Sequence, residues 1–375
     1  MKNALYYSFK LLPLLLLCFL ILTSCNDNPQ STTTNNKAYE DIDTMVASIK
    51  EDFEIVGLNY AILINGKLVH KNTMGIANIE QQVPMTIDKL FAVASISKLF
   101  SSTALHVLLK SKGRNVNETV GDFLPDQNLP ESWKKLTLKQ LLSHTSGIPD
   151  QIDYQIYLAP ESDDFVIKQL YDKPFSSEPG EKNKYNATGF LLIRMIIEEL
   201  SGQNFEVHMQ EKYFNEFNLT KANYAGFKQI VSDRVTSYRK VEERFELFPL
   251  SYAPPMYAAA GLNIDIGELT VWFQEVLNES MLSQSELIDI WTPVKLNNGK
   301  NGAFGLGWDT YSLKKGWFAT GHGGAGISSL RHYWNAKSSK TVTVILLTNG
   351  ASNWIEMPDD INLKIAMRVL PEISE

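Results

Sequence analysis

The chain predicts an α/β fold of the α+β type: one antiparallel sheet built from its two ends, flanked by helices, with a mostly helical second lobe between them. Three observations carry this expectation. Strand-like runs cluster near the start of the folded body and again near its end, the stretch between them follows helical spacing, and no repeat of fixed period breaks the pattern.

A helix is expected near Ile42 to Phe53. Asn59-Tyr-Ala-Ile-Leu-Ile64 reads as a strand, and Asn65-Gly66 is a two-residue hairpin turn leading into Leu68-Val-His70. After Ser95, the apolar residues Ile96, Leu99, Phe100, Ala104, Val107 and Leu108 recur at helical spacing, and Gly113 supplies a stop. Thr137-x-x-Gln140 forms a capping box for a helix over Leu138 to Ser143, and a further helix runs from Gly189 to Leu200 and stops at Gly202. Late strands are expected at Gly305 to Trp308, Phe318 to His322, Leu330 to Trp334 and Val342 to Leu347, before a closing helix around Asp359 to Val369. The sheet lobe then covers about 38–92 and 295–375, the helical lobe about 99–294, and the cleft lies between them.

The N-terminus reads as an export signal, with Lys2 and Lys10 ahead of an apolar run from Leu11 to Leu22 that is too short to span a bilayer. Leu22-Thr-Ser-Cys25 resembles the lipobox of bacterial lipoproteins, which implies a signal over residues 1–24, a lipid on Cys25 and a place in the bacterial cell envelope, periplasmic or surface-exposed. The plainer alternative is a signal peptide with an incidental cysteine. Residues 25–37 are small and polar, as suits a flexible tether, and residues 38–375 form the catalytic body. With Cys18 removed and Cys25 capped, no thiol remains for a disulfide or a metal, and no cofactor or metal is expected. The formal net charge of −7, with no basic stripe, excludes nucleic-acid binding as the main activity.

Ser95 and Lys98 lie three apart at the start of a helix, so the lysine amine reaches the serine hydroxyl. A hydroxyl is a weak nucleophile until its proton is taken, and a lysine takes it only when burial lowers its pKa. The helix start adds N–H groups where negative charge develops. The spacing alone is not specific: it recurs at Ser132/Lys135, Ser237/Lys240 and Ser312/Lys315, but only Ser95 has an apolar approach and an amphipathic helix behind it.

Four segments in order carry a stronger signal: Phe91-Ala-Val-Ala-Ser-Ile-Ser-Lys98, Leu141-Leu-Ser-His-Thr-Ser-Gly147, Pro179-Gly-Glu-Lys-Asn-Lys-Tyr185 and Gly321-His-Gly-Gly-Ala-Gly326. Through them the chain, from about residue 40 to its end, resembles the serine β-lactamase and penicillin-binding-protein superfamily, in its class C β-lactamase-related branch. The resemblance implies a β-lactamase/transpeptidase-like fold, Ser95 as nucleophile, Lys98 as activating amine and Tyr185 as a second proton-transfer group. As a base, a tyrosine requires neighbouring cations such as Lys98 to depress its pKa. The resemblance further implies that His322, Gly323 and Gly324 border the substrate and that the Ala325 N–H joins that of Ser95 in an oxyanion hole. His144 reads as structural, and His70, His106, His208 and His332 as ordinary core or surface residues. Gly321, Gly323 and Gly326 also fit a dinucleotide-binding pattern, rejected because no β-α-β unit surrounds them. An α/β-hydrolase is disfavoured because G-x-S-x-G is absent.

The family's Tyr-x-Asn motif is here Tyr185-Asn186-Ala187. Losing one hydrogen bond to a charged or reacting group costs about 1.5–3 kcal/mol. His322 in place of lysine attracts a substrate carboxylate less. The expected function is therefore an exported serine hydrolase acting through an acyl-enzyme on an ester, an amide or a D-amino-acid peptide. The alternatives are a D-Ala carboxypeptidase or β-lactamase acting on cell-wall peptides or β-lactams, and a non-catalytic binding protein of the same fold. The expected partners are a small-molecule or peptide substrate and a membrane reached through Cys25.

Overall fold

β1 (Gly57–Ile64) and β2 (Lys67–Asn78) form the expected hairpin, closed by Asn65 and Gly66 at φ values of 50° and 74°. Two successive positive φ angles match the twist of the strands they join, which is why asparagine and glycine stand there. The short β3 (Val83–Pro84) pairs with β2 at the sheet edge. The middle of the chain is less purely helical than its periodicity suggests. β4 (Phe91–Ala92), β5 (Asn223–Tyr224) and β8 (Leu262–Ile264) make a small sheet in the order β4-β8-β5, and β6 (Tyr238–Val241) pairs with β7 (Arg244–Leu247). Pairs this short leave little periodic signal.

The late strands are β9 (Asp309–Ser312), β10 (Phe318–Gly324), β11 (Ser328–Trp334) and β12 (Val342–Thr348), and the large sheet runs β3-β2-β1-β12-β11-β10-β9. The two ends of the chain therefore meet at its centre, with β1 antiparallel to β12 and Tyr60 opposite Leu346. In this computed structural model the described residues are 36–158, 160, 162–352 and 357–373. The signal peptide, Cys25 and nearly all of the tether lie outside them. Among the described residues, no helix is long and apolar enough to cross a membrane.

Both faces of the sheet are covered, which explains why its central strands read as continuous apolar runs. Along β1, Leu58, Tyr60 and Ile62 pack with the helices Asn36–Asp52 and Met357–Val369, while Ala61 and Leu63 join the core under the helical lobe. Along β12, Val342, Val344 and Leu346 take the first side, and Ile345 and Leu347 the second. The capping box of Thr137 and Gln140 is formed, and the helix Thr188–Ser201 ends at Gly202 with φ 70°.

One expected strand is corrected. Gly305 to Trp308 is an irregular loop, and strand pairing with β10 begins at Asp309. Its backbone groups are satisfied by helices instead: Gly307 N–H donates to Leu142 O at 3.1 Å, and Ser102 Oγ donates to Leu306 O at 2.6 Å. Gly307 sits at φ 86°, and a Cβ there would stand 2.6 Å from the Ser102 Cβ. The loop needs its glycine for both reasons.

Candidate active site

Ser95 stands in a single 3-10 turn, Ala94–Ile96, which runs directly into the helix Ser97–Ser111. The preceding Ala94 has φ 46°, a conformation that L-residues rarely adopt outside constrained sites. The turn is held by its surroundings, with Val93 N–H bonded to Leu262 O at 3.0 Å and Ser97 Oγ accepting from Leu262 N–H at 3.0 Å. Further along the helix, Ser101 Oγ donates to Ala258 O at 2.7 Å. The small residues Ala258-Ala-Ala-Gly261 let this helix approach closely enough for those bonds to form.

Lys98 is 1 % exposed, and its Nζ lies 3.3 Å from Ser95 Oγ and 2.8 Å from Ala259 O. Burial lowers its pKa to about 7, while the charge of Asp150 acts in the opposite direction. Near neutrality a substantial fraction of this amine is therefore uncharged and able to accept a proton. Its Nζ also lies 4.8 Å from the Tyr185 ring centre and 5.2 Å from that of Phe190.

Tyr185 reaches the same oxygen from the other side, its Oη donating to Ser95 Oγ at 2.7 Å. Although 37 % of the residue is exposed along the cleft, crowding around its hydroxyl raises the phenol pKa. The bond to Ser95 opposes that rise and Asp150 adds to it. The direction is opposite to the expected depression by Lys98, because desolvation of the phenol is the largest influence. Tyr185 is therefore a protonated donor in the resting site.

Asn186 does not take the place of the missing asparagine. It is buried, its Nδ2 donating to Ile148 O at 2.8 Å and its Oδ1 accepting from Gly189 N–H at 2.8 Å. Ala187 is fully buried in the apolar core. Its N–H donates to Asp150 Oδ1 at 3.0 Å, and that of Thr188 to the same oxygen at 3.2 Å. Burial raises the Asp150 pKa, and these backbone donors oppose the rise. His144 accepts the Asn186 N–H at 3.1 Å and packs 4.4 Å from the Tyr185 ring, so it supports the tyrosine loop.

On β10, His322 is buried, and burial lowers its pKa to about 3, with Lys98 adding to the effect. Its Nδ1 lies 2.6 Å from Gly323 O, which makes Nδ1 the protonated nitrogen and leaves a neutral imidazole 5.8 Å from the Tyr185 ring. Gly324 carries β10 against Val93, since a Cβ there would collide with Val93 O and Ser328 Oγ. That close approach brings Ala325, at φ 49° in the turn after β10, beside the segment bearing Ser95. Beneath the strand, Arg331 donates to Asp359 at 3.0 and 2.7 Å and to Asp309 at 2.7 Å, a buried ion network tying β11 to β9 and the last helix.

The structure thus brings Ser95, Lys98, Tyr185, His322, Gly324 and Ala325 together from three separated stretches of sequence. Sequence reasoning missed Asp150, whose only signal was an acidic residue after Pro149. It also missed the Ala259 carbonyl, because a backbone acceptor carries no signature, and Phe304, whose ring lies 5.9 Å from Tyr185 and 6.3 Å from His322. Among the described residues, no group of three or more His, Cys, Asp or Glu is placed to hold a metal ion.

Comparison with known proteins bears on the family and the fold. Penicillin-binding protein 4* of Bacillus subtilis is 25 % identical over 264 residues, which is 65 % of this chain and 57 % of that protein; the chain spans little more than half its length. The solved structure of EstCE1, a hydrolase with promiscuous acyltransferase activity, matches with a TM-score of 0.73 at 16 % identity, covering 89 % of this chain and 98 % of that one. D-amino acid amidase from Ochrobactrum anthropi SV3 matches with a TM-score of 0.69 at 19 % identity, covering 88 % and 98 %. At these identities the structural likeness is one of fold. The family profile described as beta-lactamase matches residues 42–366, nearly the whole folded body, and the chain accordingly belongs to the beta-lactamase family.

Proposed function

We propose that this chain is an exported, lipid-anchored hydrolase that attacks the carbonyl of an ester, amide or D-amino-acid peptide with Ser95 and releases the acyl group to water. One observation carries the reading: Ser95 Oγ has a buried, depressed-pKa amine 3.3 Å away on one side and a protonated phenol 2.7 Å away on the other. Neutral Lys98 takes the hydroxyl proton as the Ser95 oxygen bonds to carbon, and the developing oxyanion is met by the N–H groups of Ser95 and Ala325. Tyr185 gives its proton to the leaving oxygen or nitrogen and is reprotonated by Lys98, so the proton balance closes with the acyl-enzyme formed. Water then attacks the ester, and the same groups carry its proton back to Ser95 as the free acid departs.

The neutral His322 favours esters and amides over substrates held by a free carboxylate. EstCE1, a hydrolase with promiscuous acyltransferase activity, and the Ochrobactrum D-amino acid amidase share this fold and support the reading. Action on D-alanyl peptides or β-lactams shares the same residues and is the alternative. Leu22-Thr-Ser-Cys25 supports the lipid anchor at Cys25 and a place in the cell envelope.

Intact mass spectrometry tests the reading with a fluorophosphonate, activated esters and a penicillin. Wild type is expected to gain one adduct, located on Ser95, and Ser95→Ala none. Folded wild-type protein that neither forms an adduct nor turns over any activated ester would favour the binding-protein alternative.

A further inference from the structure

Phe304 touches the catalytic groups without a task in proton transfer. It is partly exposed, and its ring lies 4.6 Å from that of His144, 5.9 Å from that of Tyr185 and 6.3 Å from that of His322. The interplanar angles are 76°, 39° and 35°, so none of these three rings lies flat against it. The backbone holds the ring in place. Phe304 O accepts the Val294 N–H at 2.9 Å, Ala303 N–H donates to Asn183 Oδ1 at 2.9 Å, and Asn183 Nδ2 donates to Ser143 O at 2.8 Å. Asn183 stands two residues before Tyr185, so one side chain ties the Phe304 loop to the loop that carries the phenol. Gly302 permits that tie, since a Cβ there would stand 2.6 Å from Asn183 Oδ1.

The chemistry around this ring is apolar. His322 beside it is neutral, and the two residues that follow His322 on β10 are glycines. Asp309, whose charge reaches Tyr185, is paired with Arg331 at 2.7 Å. Tyr185 hands its proton to the departing oxygen or nitrogen. The atom it protonates, and whatever that atom carries, therefore lies next to the phenol and within reach of Phe304.

We propose that Phe304 forms a leaving-group subsite, resting on the hydrolase reading above, that selects esters and amides whose alcohol or amine bears an uncharged aromatic or similarly apolar group. The alcohol or amine departs with the Tyr185 proton while its apolar group packs on the Phe304 ring. Removing that group from water stabilises the bound substrate and the transition state alike, which raises kcat/KM.

The test compares kcat/KM for hydrolysis of benzyl acetate and methyl acetate, whose alcohols are of nearly equal acidity, so that the ratio reads the contact made by the ring. p-Nitrophenyl butyrate and acetate, which share a leaving group, serve as the acyl-side control. Wild type is expected to favour benzyl over methyl acetate by about tenfold. Phe304→Ala is expected to bring that ratio near one, and Phe304→Leu to leave it in between, with the butyrate-to-acetate ratio unchanged in both. A ring that merely props Tyr185 would, on removal, slow both acetates alike and leave the ratio as it was. Because each ratio is taken on a single protein sample, partial loss of folded enzyme cancels. The subsite is overturned by a wild-type ratio near or below one, by a ratio unchanged in Phe304→Ala, or by no cleavage of benzyl acetate where p-nitrophenyl acetate is cleaved. A butyrate-to-acetate ratio that falls as far as the benzyl-to-methyl ratio also overturns it, by placing Phe304 against the acyl chain. Failure to cleave any ester, with no adduct on Ser95, sinks the hydrolase reading and this inference with it.

Discussion

Lys98 donates to the Ala259 carbonyl oxygen at 2.8 Å, and among the described residues no carboxylate lies within ion-pairing reach of its amine. A carboxylate partner would hold the ammonium charged. A carbonyl positions the nitrogen without supplying a full negative charge, so burial sets the balance and the amine is left poised near neutrality. Asp150 acts only through its charge, which tempers the effect.

The rate should therefore follow the deprotonation of Lys98. Only the neutral amine accepts the Ser95 proton, so kcat/KM is expected to rise with pH through an apparent pKa of about 7 and to level off above it. Asp150→Asn removes the charge that favours the ammonium, and its acidic limb should move to lower pH. His144 and His322, both lowered by burial, stay neutral across this window. Profiles measured with an activated ester check this, and coincident limbs for the two proteins would contradict it.

Lys98→Met should abolish turnover and yet stabilise the fold. The lysine pKa falls from 10.5 unfolded to about 7 folded, so below about 7 both states are charged and the folded state bears the full burial cost, on the order of a few kcal/mol. Between about 7 and 10.5 that cost fades. The gain in melting temperature of the variant should thus be greatest at acidic pH and shrink as pH rises, which thermal scans at several pH values would reveal.

Tyr185→Phe should impair substrates according to their leaving group. A protonated phenol 2.7 Å from Ser95 Oγ serves departure of a poor leaving group, so amides and alkyl esters should lose about 10²–10⁴-fold in kcat. p-Nitrophenyl esters, whose leaving group needs no proton, should lose far less. Equal losses on both classes would place the tyrosine outside proton delivery.

Gly324→Ala should damage catalysis more than folding. Its Cβ would collide with the Val93 carbonyl and Ser328 Oγ, forcing the end of β10 away from the Ser95 turn and displacing the Ala325 N–H. A misplacement of about 1 Å costs roughly 10²-fold in rate. Kinetics alongside circular dichroism and a urea midpoint would separate this from general unfolding.

Much of this protein was legible locally. The Asn65-Gly66 turn, the Thr137/Gln140 capping box and the Gly202 stop act within a few residues, so their chemistry specifies the backbone wherever the rest of the chain goes. The Ser95/Lys98 pair is local too, because residues three apart at a helix start are neighbours. The loop at Gly305 to Trp308 was misread as a strand because its geometry depends on Ser102 and Leu142, far away in sequence.

The sequence by itself placed Ser95 and Lys98 within reach of each other and the two chain ends in one sheet, since each follows from spacing and from apolar runs that must be covered. Only the tertiary structure decided the charge states of Lys98 and Tyr185, the inward turn of Asn186 and the electrostatic part played by Asp150. Burial and field are sums over atoms that folding gathers from distant stretches, and no short segment contains them.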